Sequence, residues 1–399
     1  MADIGGKLIC RRNDNWIKLD FVDDIISNIL SRVPVRSLGI WKTVSKHWHT
    51  FICSPDFIGL QLSWSRENPI YIIYPYVDEI MTLYLLKANG DLEQIILPGF
   101  EDVPFPTMTC SYNGLICCIN YACPSPKVTD VDIRICNPAT RDVLLLPKGS
   151  PSKVEPTIGV AFGSRVNEYK VFRFFEKRIK KEDGKEDNEL IETEVSWGFS
   201  YEDWESDSES NEEPPDCEIY SSITGSWRGI GSVEYRPMGY HYVCVNGIVY
   251  WFIGTKYYST IPVSILSVDM EENFRTIDLP AEATEHSFLV DLQGCLLLII
   301  VGDEHDHSLD IWVLQDRNES TWVNRCSSNI PIEANESVNS VSARKNELLF
   351  TTSFHYFIFN LDDKTWREVI FYAAGFDTDF SVAFSFTESL LPCNGILGS

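Results

Sequence analysis

Four stretches decide how the long second part of this chain folds: Tyr220-Ser-Ser-Ile-Thr-Gly-Ser-Trp227, Ser267-Val-Asp-Met-Glu-Glu-Asn-Phe274, Gln315-Asp-Arg-Asn-Glu-Ser-Thr-Trp322 and Phe359-Asn-Leu-Asp-Asp-Lys-Thr-Trp366. Each carries a polar turn that ends on an aromatic, and the aromatics lie 47, 48 and 44 residues apart. A second series keeps the same time. Asn113-Gly114 precedes Leu146-Pro147 by 33 residues, Asn246-Gly247 precedes Leu279-Pro280 by the same 33, and Leu97-Pro98 and Ile330-Pro331 extend the series by 49 and 51. The Asn-Gly pairs open hydrophobic strands, Leu115-Ile-Cys-Cys-Ile119 and Ile248-Val-Tyr-Trp-Phe252. A period near 45 residues built of short strands and polar turns marks propeller blades. One four-stranded sheet cannot bury both its faces, whereas blades stacked around an axis cover one another. A β-sandwich with coincidental spacing is the alternative. Residues 69–399, less an insert of about 40, hold about six blades at this period.

Before residue 64 the pattern is different. Phe21, Ile25, Ile26, Ile29 and Leu30 form one stripe of a helix, with Asp20 placed to cap it and Asp23 and Asp24 favourable in its first turn. Val33-Pro34 breaks that helix. Val44, Trp48, Phe51 and Ile52 make a second stripe, and Ser54-Pro55-Asp56 opens a further short helix with serine as N-cap and proline at the first helical position. Three or four short helices cannot close a core of their own. Their apolar surplus must dock either on the rest of this chain or on a helical partner subunit. The expected organisation is a flexible N-terminus over 1–15, a small all-α domain over 16–66, an all-β propeller-like domain over 67–392 and a tail over 393–399.

The stretch Asp23-Asp-Ile-Ile-Ser-Asn-Ile-Leu-Ser-Arg-Val-Pro-Val-Arg-Ser-Leu38, followed by Val44-Ser-Lys-His-Trp48 and Ser54-Pro-Asp-Phe57, resembles a plant F-box over about 40 residues. Cys136-Asn-Pro-Ala-Thr-Arg141, Glu168-Tyr-Lys-Val171, Tyr220–Trp227 and Val245-Asn-Gly-Ile-Val-Tyr-Trp251 are similar to the F-box-associated, kelch-like domain of such proteins. The resemblance implies a non-catalytic substrate receptor of a Skp–cullin–F-box ubiquitin ligase. By position, it implies an adaptor-binding face of Phe21, Val22, Ile25, Ile29, Leu30, Pro34, Leu38, Trp41, Val44 and Trp48. Two positions depart from the family pattern: Phe21-Val22 replaces the usual Leu-Pro, and Ile40 replaces a basic residue. The likeness extends to S-locus F-box proteins of self-incompatibility and equally to F-box proteins that limit defence or stress signalling.

Charge excludes one class of function. The formal net charge is −25, with residues 1–68 at +2 and residues 69–399 at −27, so nothing here replaces the counterions of a nucleic acid. If recognition uses this field, the target protein is basic. An acidic insert, Glu176 to Asp216, carries a net −11 and is expected to be a mobile loop between two strands of one blade, with Ser206 and Ser210 as possible phosphorylation sites. Met1 to Asn15 has charges where a signal peptide needs an apolar run, and Cys295 to Val301 is too short to cross a bilayer. A soluble cytoplasmic or nuclear protein with reduced cysteines is expected.

Chemistry is sparse. No P-loop, Gly-x-Ser-x-Gly, His-Glu-x-x-His or dinucleotide fingerprint occurs. His305-Asp306-His307 lacks an implied third metal ligand, Cys117-Cys118 with Cys123 lacks a second pair at zinc spacing, and Arg141 is assigned to bracing its turn. No cofactor, catalytic residue or metal is expected. The rivals to a ligase receptor are a propeller that binds a small ligand or glycan and a propeller hydrolase.

Overall fold

The computed structural model describes the chain outside residues 1–8, 13–14, 19–20, 76–80, 88–89, 101–102, 104–105, 126–127, 164–167, 178–213, 255–260, 303–305, 333–335, 371–380 and 395–399. Where the sequence suggests a flexible N-terminus, Ile9–Arg12 pairs antiparallel with Asn15–Lys18. Four helices follow among the described residues: α1 (Phe21–Leu30), α2 (Val35–Trp41), α3 (Lys46–Ile52) and α4 (Pro55–Glu67). Pro34, extended at φ −51° and ψ 138°, separates α1 from α2. The Ser45 hydroxyl accepts from Trp48 N–H at the start of α3, and the Ser54 hydroxyl accepts from Phe57 N–H at the start of α4. Val44 thus precedes α3 rather than forming its first turn.

Six antiparallel four-stranded sheets follow α4 among the described residues, as the 45-residue period requires. Blade 1 is closed by the far end of the chain. Its inner strand is Ser381–Phe386, paired from Ser381↔Pro75 to Phe386↔Ile70 with the strand that follows α4. Joining the last strand to the first makes the sheet array a ring and removes the exposed edges that an open array would leave. Second strands are buried on both faces by neighbouring blades, which explains continuous apolar runs such as Cys295–Val301 in blade 5. Trp251, wholly buried, packs edge-on against Phe172 and Phe174 at centroid separations of 6.2 and 5.5 Å, joining blades 3 and 4. A Cβ on Gly159 would lie 1.9 Å from that indole, so only glycine fits.

Both sequence series have a physical origin in this ring. Trp227, Phe274, Trp322 and Trp366 lie in the outermost strands of blades 3 to 6. Each indole N–H reaches back to the preceding blade: Trp227 donates to Pro147 O at 2.7 Å, Trp322 to Asp278 O at 2.8 Å and Trp366 to the Ser328 hydroxyl at 3.4 Å. Phe274 has no donor and stacks instead on Tyr235, with 7° between the ring planes. Leu97, Leu146 and Ile330, ahead of the prolines, are buried where the outer strands of blades 1, 2 and 5 end.

Asn113-Gly114 and Asn246-Gly247 are two-residue turns between the first and second strands of blades 2 and 4, with both residues at positive φ. Blades 5 and 6 use Gln293-Gly294 and Lys345-Asn346 at the same place, which the dipeptide search does not find. Side chains tie these turns in series: Asn246 Nδ2 donates to Gly294 O at 2.8 Å, and Gln293 Nε2 to Asn346 Oδ1 at 3.5 Å.

Candidate docking faces

The helical unit presents an apolar face to solvent. Ile25 is 50% exposed, Ile29 59%, Ile40 68% and Val44 67%, and Ile26 is also exposed. Trp41 and Trp48 stand behind this face, half-buried and edge-to-face at 6.0 Å, and Phe51 continues the aromatic ladder to Phe57 in the core. Two of the residues assigned to the adaptor face lie elsewhere. Leu30 and Leu38 are buried beside Val35, Ile52 and Phe57, on the inward side of their helices, in a cluster that continues through Leu390 and Leu391 into the propeller. Pro34 is exposed at the α1–α2 corner. Phe21 and Val22 open α1, and their side chains lie outside the described residues. Ile26, outside the set implied by resemblance, is exposed beside Ile25, and Ile40, which replaces a basic residue of the family pattern, is among the most exposed apolar side chains.

A second interface joins this unit to the propeller. After the ring-closing strand, residues 387–394 run as a strap between α4 and blades 2 and 3. Gln61 Nε2 donates to Glu388 O at 3.2 Å from the α4 side. From the blade side, Asn137 Nδ2 donates to Ser389 O at 3.0 Å and Leu391 O at 2.7 Å, and Tyr169 OH to Cys393 O at 3.0 Å. Leu390, Leu391 and Cys393 are buried in one cluster with Phe57, Ile58 and Leu62. Gly114 borders the strap so closely that a Cβ there would lie 2.5 Å from Thr387 O. Asn137 also braces its own turn, its Oδ1 accepting from Ala139 and Thr140 N–H at 3.0 and 3.3 Å, whereas Arg141 is exposed at φ +61°. The brace expected of Arg141 belongs to Asn137.

Ion pairs close the side of this interface. Arg36 of α2 pairs with Glu93 of blade 1, which also receives Lys87 at 2.8 Å. The hydrogen bond from Lys87 holds the Glu93 carboxyl below its ordinary range, aided by Arg36. Burial instead pushes the Glu388 carboxyl up. Arg66 Nε donates to Asn113 Oδ1 at 2.9 Å, tying the end of α4 to the first turn of blade 2.

Topology assigns the two faces of the ring. The chain leaves α4 at Glu67 and enters the second strand of blade 1 at Ile70, so the turns between first and second strands lie on the near face. Antiparallel alternation then sends the second-to-third connections and the links between blades to the far face. On the near face, the turns between first and second strands are two residues long in blades 2, 4, 5 and 6, and those between third and fourth strands, such as 269–273 and 317–320, are four or five. Far-face segments are longer: 97–106, 176–215, 254–263 and 369–380. Loops of that length on a rigid scaffold are where binding residues concentrate. Exposed apolar side chains there include Ile261, Val263 and Phe354. Most of the acidic insert, with Ser206 and Ser210, lies outside the described residues, as does His305.

Among the described residues no group of three or more His, Cys, Asp or Glu could hold a metal. Ten described cysteines are free thiols. Burial pushes the Cys118 thiol well up, which makes it a poor nucleophile or ligand.

Comparison with known proteins agrees with both parts. Residues 93–388 match the family described as F-box associated beta propeller domain, and residues 19–58 match the F-box domain. F-box protein At5g65850 of Arabidopsis thaliana is 24% identical over 386 residues, covering 87% of this chain and 83% of the relative. F-box protein At5g49610 of the same plant is 24% identical over 412 residues, covering 96% and 100%. Putative F-box protein At1g32420, also from that plant, is 26% identical over 312 residues, covering 73% and 85%. The F-box match ends at Ile58, so the last part of α4, which lies on the strap, belongs to neither matched segment.

Proposed function

Since this chain belongs to the F-box proteins that carry an F-box associated β-propeller domain, we propose that it is a substrate receptor of a Skp–cullin–F-box ubiquitin ligase, with no reaction of its own. The single observation that carries this reading is the solvent-facing isoleucine face of Ile25, Ile26, Ile29 and Ile40, on a helical unit strapped to a propeller. An adaptor covering that face removes apolar area from water. The far-face loops then hold a target protein, and the strap keeps target and adaptor at one separation. Catalysis by proximity follows: the target lysine meets the ubiquitin thioester as an effectively intramolecular partner. With −27 on residues 69–399, the target is a basic protein that is steered electrostatically to the propeller, in the cytoplasm or nucleus.

The test is Ile29→Asp. Ile29 is 59% exposed, so the variant should fold normally. In an adaptor complex it would bury an unpaired carboxylate, costing on the order of several kcal/mol. Co-purification with a Skp-type adaptor should be lost in the variant. Full-strength adaptor binding by folded Ile29→Asp protein would sink the assignment.

A further inference from the structure

A cavity of about 930 Å³ occupies the near half of the central channel, next to the end of α4. That volume lies in the range of small-molecule sites. Five blades contribute to its wall, among them Tyr112, Val243, Leu289, Val341 and Phe384. Tyr112 is held in place by stacking on Phe162 at 4.7 Å. Polar and charged groups share this lining, among them Ser111, Asp291, Arg344 and Lys345. Ser111 Oγ is buried with no hydrogen-bond partner among the described residues. Asp291 lies in the wall of blade 5, and its Oδ1 accepts the Gly294 N–H at 2.8 Å. Among the described residues no Lys, Arg or His forms an ion pair with Asp291. Of the cations in this wall, Arg66 bonds to Asn113 and Arg344 to Glu347 at 2.8 Å, and Lys345 lies beside Arg344.

We propose that this channel binds a small organic amine, its ammonium head on Asp291 and its apolar body against Val243, Leu289, Val341 and Phe384. A carboxylate drawn out of water needs a hydrogen-bonding cation, and an ammonium with a short apolar body supplies one while covering the wall. Burial pushes the Asp291 carboxyl up to about 6, the direction that an unneutralised carboxylate in such a wall should take. The inference is independent of adaptor binding and stands or falls by itself.

Titration calorimetry of the full chain with tryptamine, and with its neutral analogue tryptophol, tests it. At pH 7.5 tryptamine should bind about tenfold tighter than tryptophol, a preference set by the one charge pair. Asp291→Asn should abolish that preference, and Val341→Trp, which fills the channel, should remove binding of both. Tryptamine affinity should also fall from pH 7.5 to pH 5. The other titratable groups facing Asp291, Tyr112 and Cys244, are pushed up by burial, so Asp291 is the one that loses charge over that interval. Equal binding of the two probes, a tryptamine preference that survives Asp291→Asn, or tryptamine binding that survives Val341→Trp would overturn the proposal; survival in Val341→Trp would place the amine on the acidic surface instead.

Discussion

Asn137→Ala removes the side chain on which the strap depends. Asn137 is fully buried, and its amide makes four hydrogen bonds: two to strap carbonyls at 3.0 and 2.7 Å, and two from turn N–H groups at 3.0 and 3.3 Å. Alanine leaves those partners in place without an amide to meet them. An unsatisfied buried polar group costs about 1–3 kcal/mol. With two strap carbonyls and the turn affected, a loss of about 3–5 kcal/mol is expected. Asn137→Asp separates the two roles, because it keeps the acceptor for the turn but replaces the donor to the strap with a carboxylate oxygen facing two carbonyls. Both variants should therefore be strongly destabilised, aspartate at least as much as alanine. Urea unfolding followed by tryptophan fluorescence measures the loss, and amide exchange at Leu390 and Leu391 should accelerate in both. Stability of Asn137→Asp within about 1 kcal/mol of the wild type, with unchanged exchange in the strap, would refute the reasoning.

Gly159→Ala should destabilise by about 1–3 kcal/mol or more through overpacking against the Trp251 indole, read as a drop in thermal midpoint and a changed near-ultraviolet tryptophan signal. Asp291 contributes to pH dependence with a definite sign. Its folded pKa, about 6, is raised above the ordinary carboxylate value, so the associated stability is full below pH 4 and lost as pH rises through 6. Asp291→Asn should thus raise the midpoint at pH 7.5 and change it little at pH 3.5, as seen by differential scanning fluorimetry. Replacing Lys181–Glu213 with a short Gly/Ser turn should leave the midpoint within a few degrees. The blade 3 strands pair up to Phe175↔Asp216, and the Lys177–Asp216 ion pair at 2.6 Å lies outside the deletion. A large loss of stability there would show that the insert packs on the propeller.

Local sequence determined what depends on neighbours in the chain. Proline at 34 and serines at 45 and 54 set the limits of the helices, since a cap acts within one turn. Asn-Gly fixed two hairpin turns because both residues tolerate positive φ, and the aromatics repeated because in blades 3 to 6 each anchors its outer strand, by an indole N–H to the preceding blade in blades 3, 5 and 6 and by stacking on Tyr235 in blade 4. The helical stripe likewise announced an apolar surplus, but not its division. Only packing decided that Leu30 and Leu38 face inward while Ile29 and Ile40 face water, because that choice depends on what lies across from each side of the helix. The pairing of Ser381–Phe386 with Ile70–Pro75 was also beyond local reading. Their partnership spans more than 300 residues, and a closing strand looks like any other until the ring brings its partner alongside. Asn137 and the strap follow the same rule. An asparagine in a turn is ordinary in sequence, and the two carbonyls that make it structural arrive from the other end of the chain.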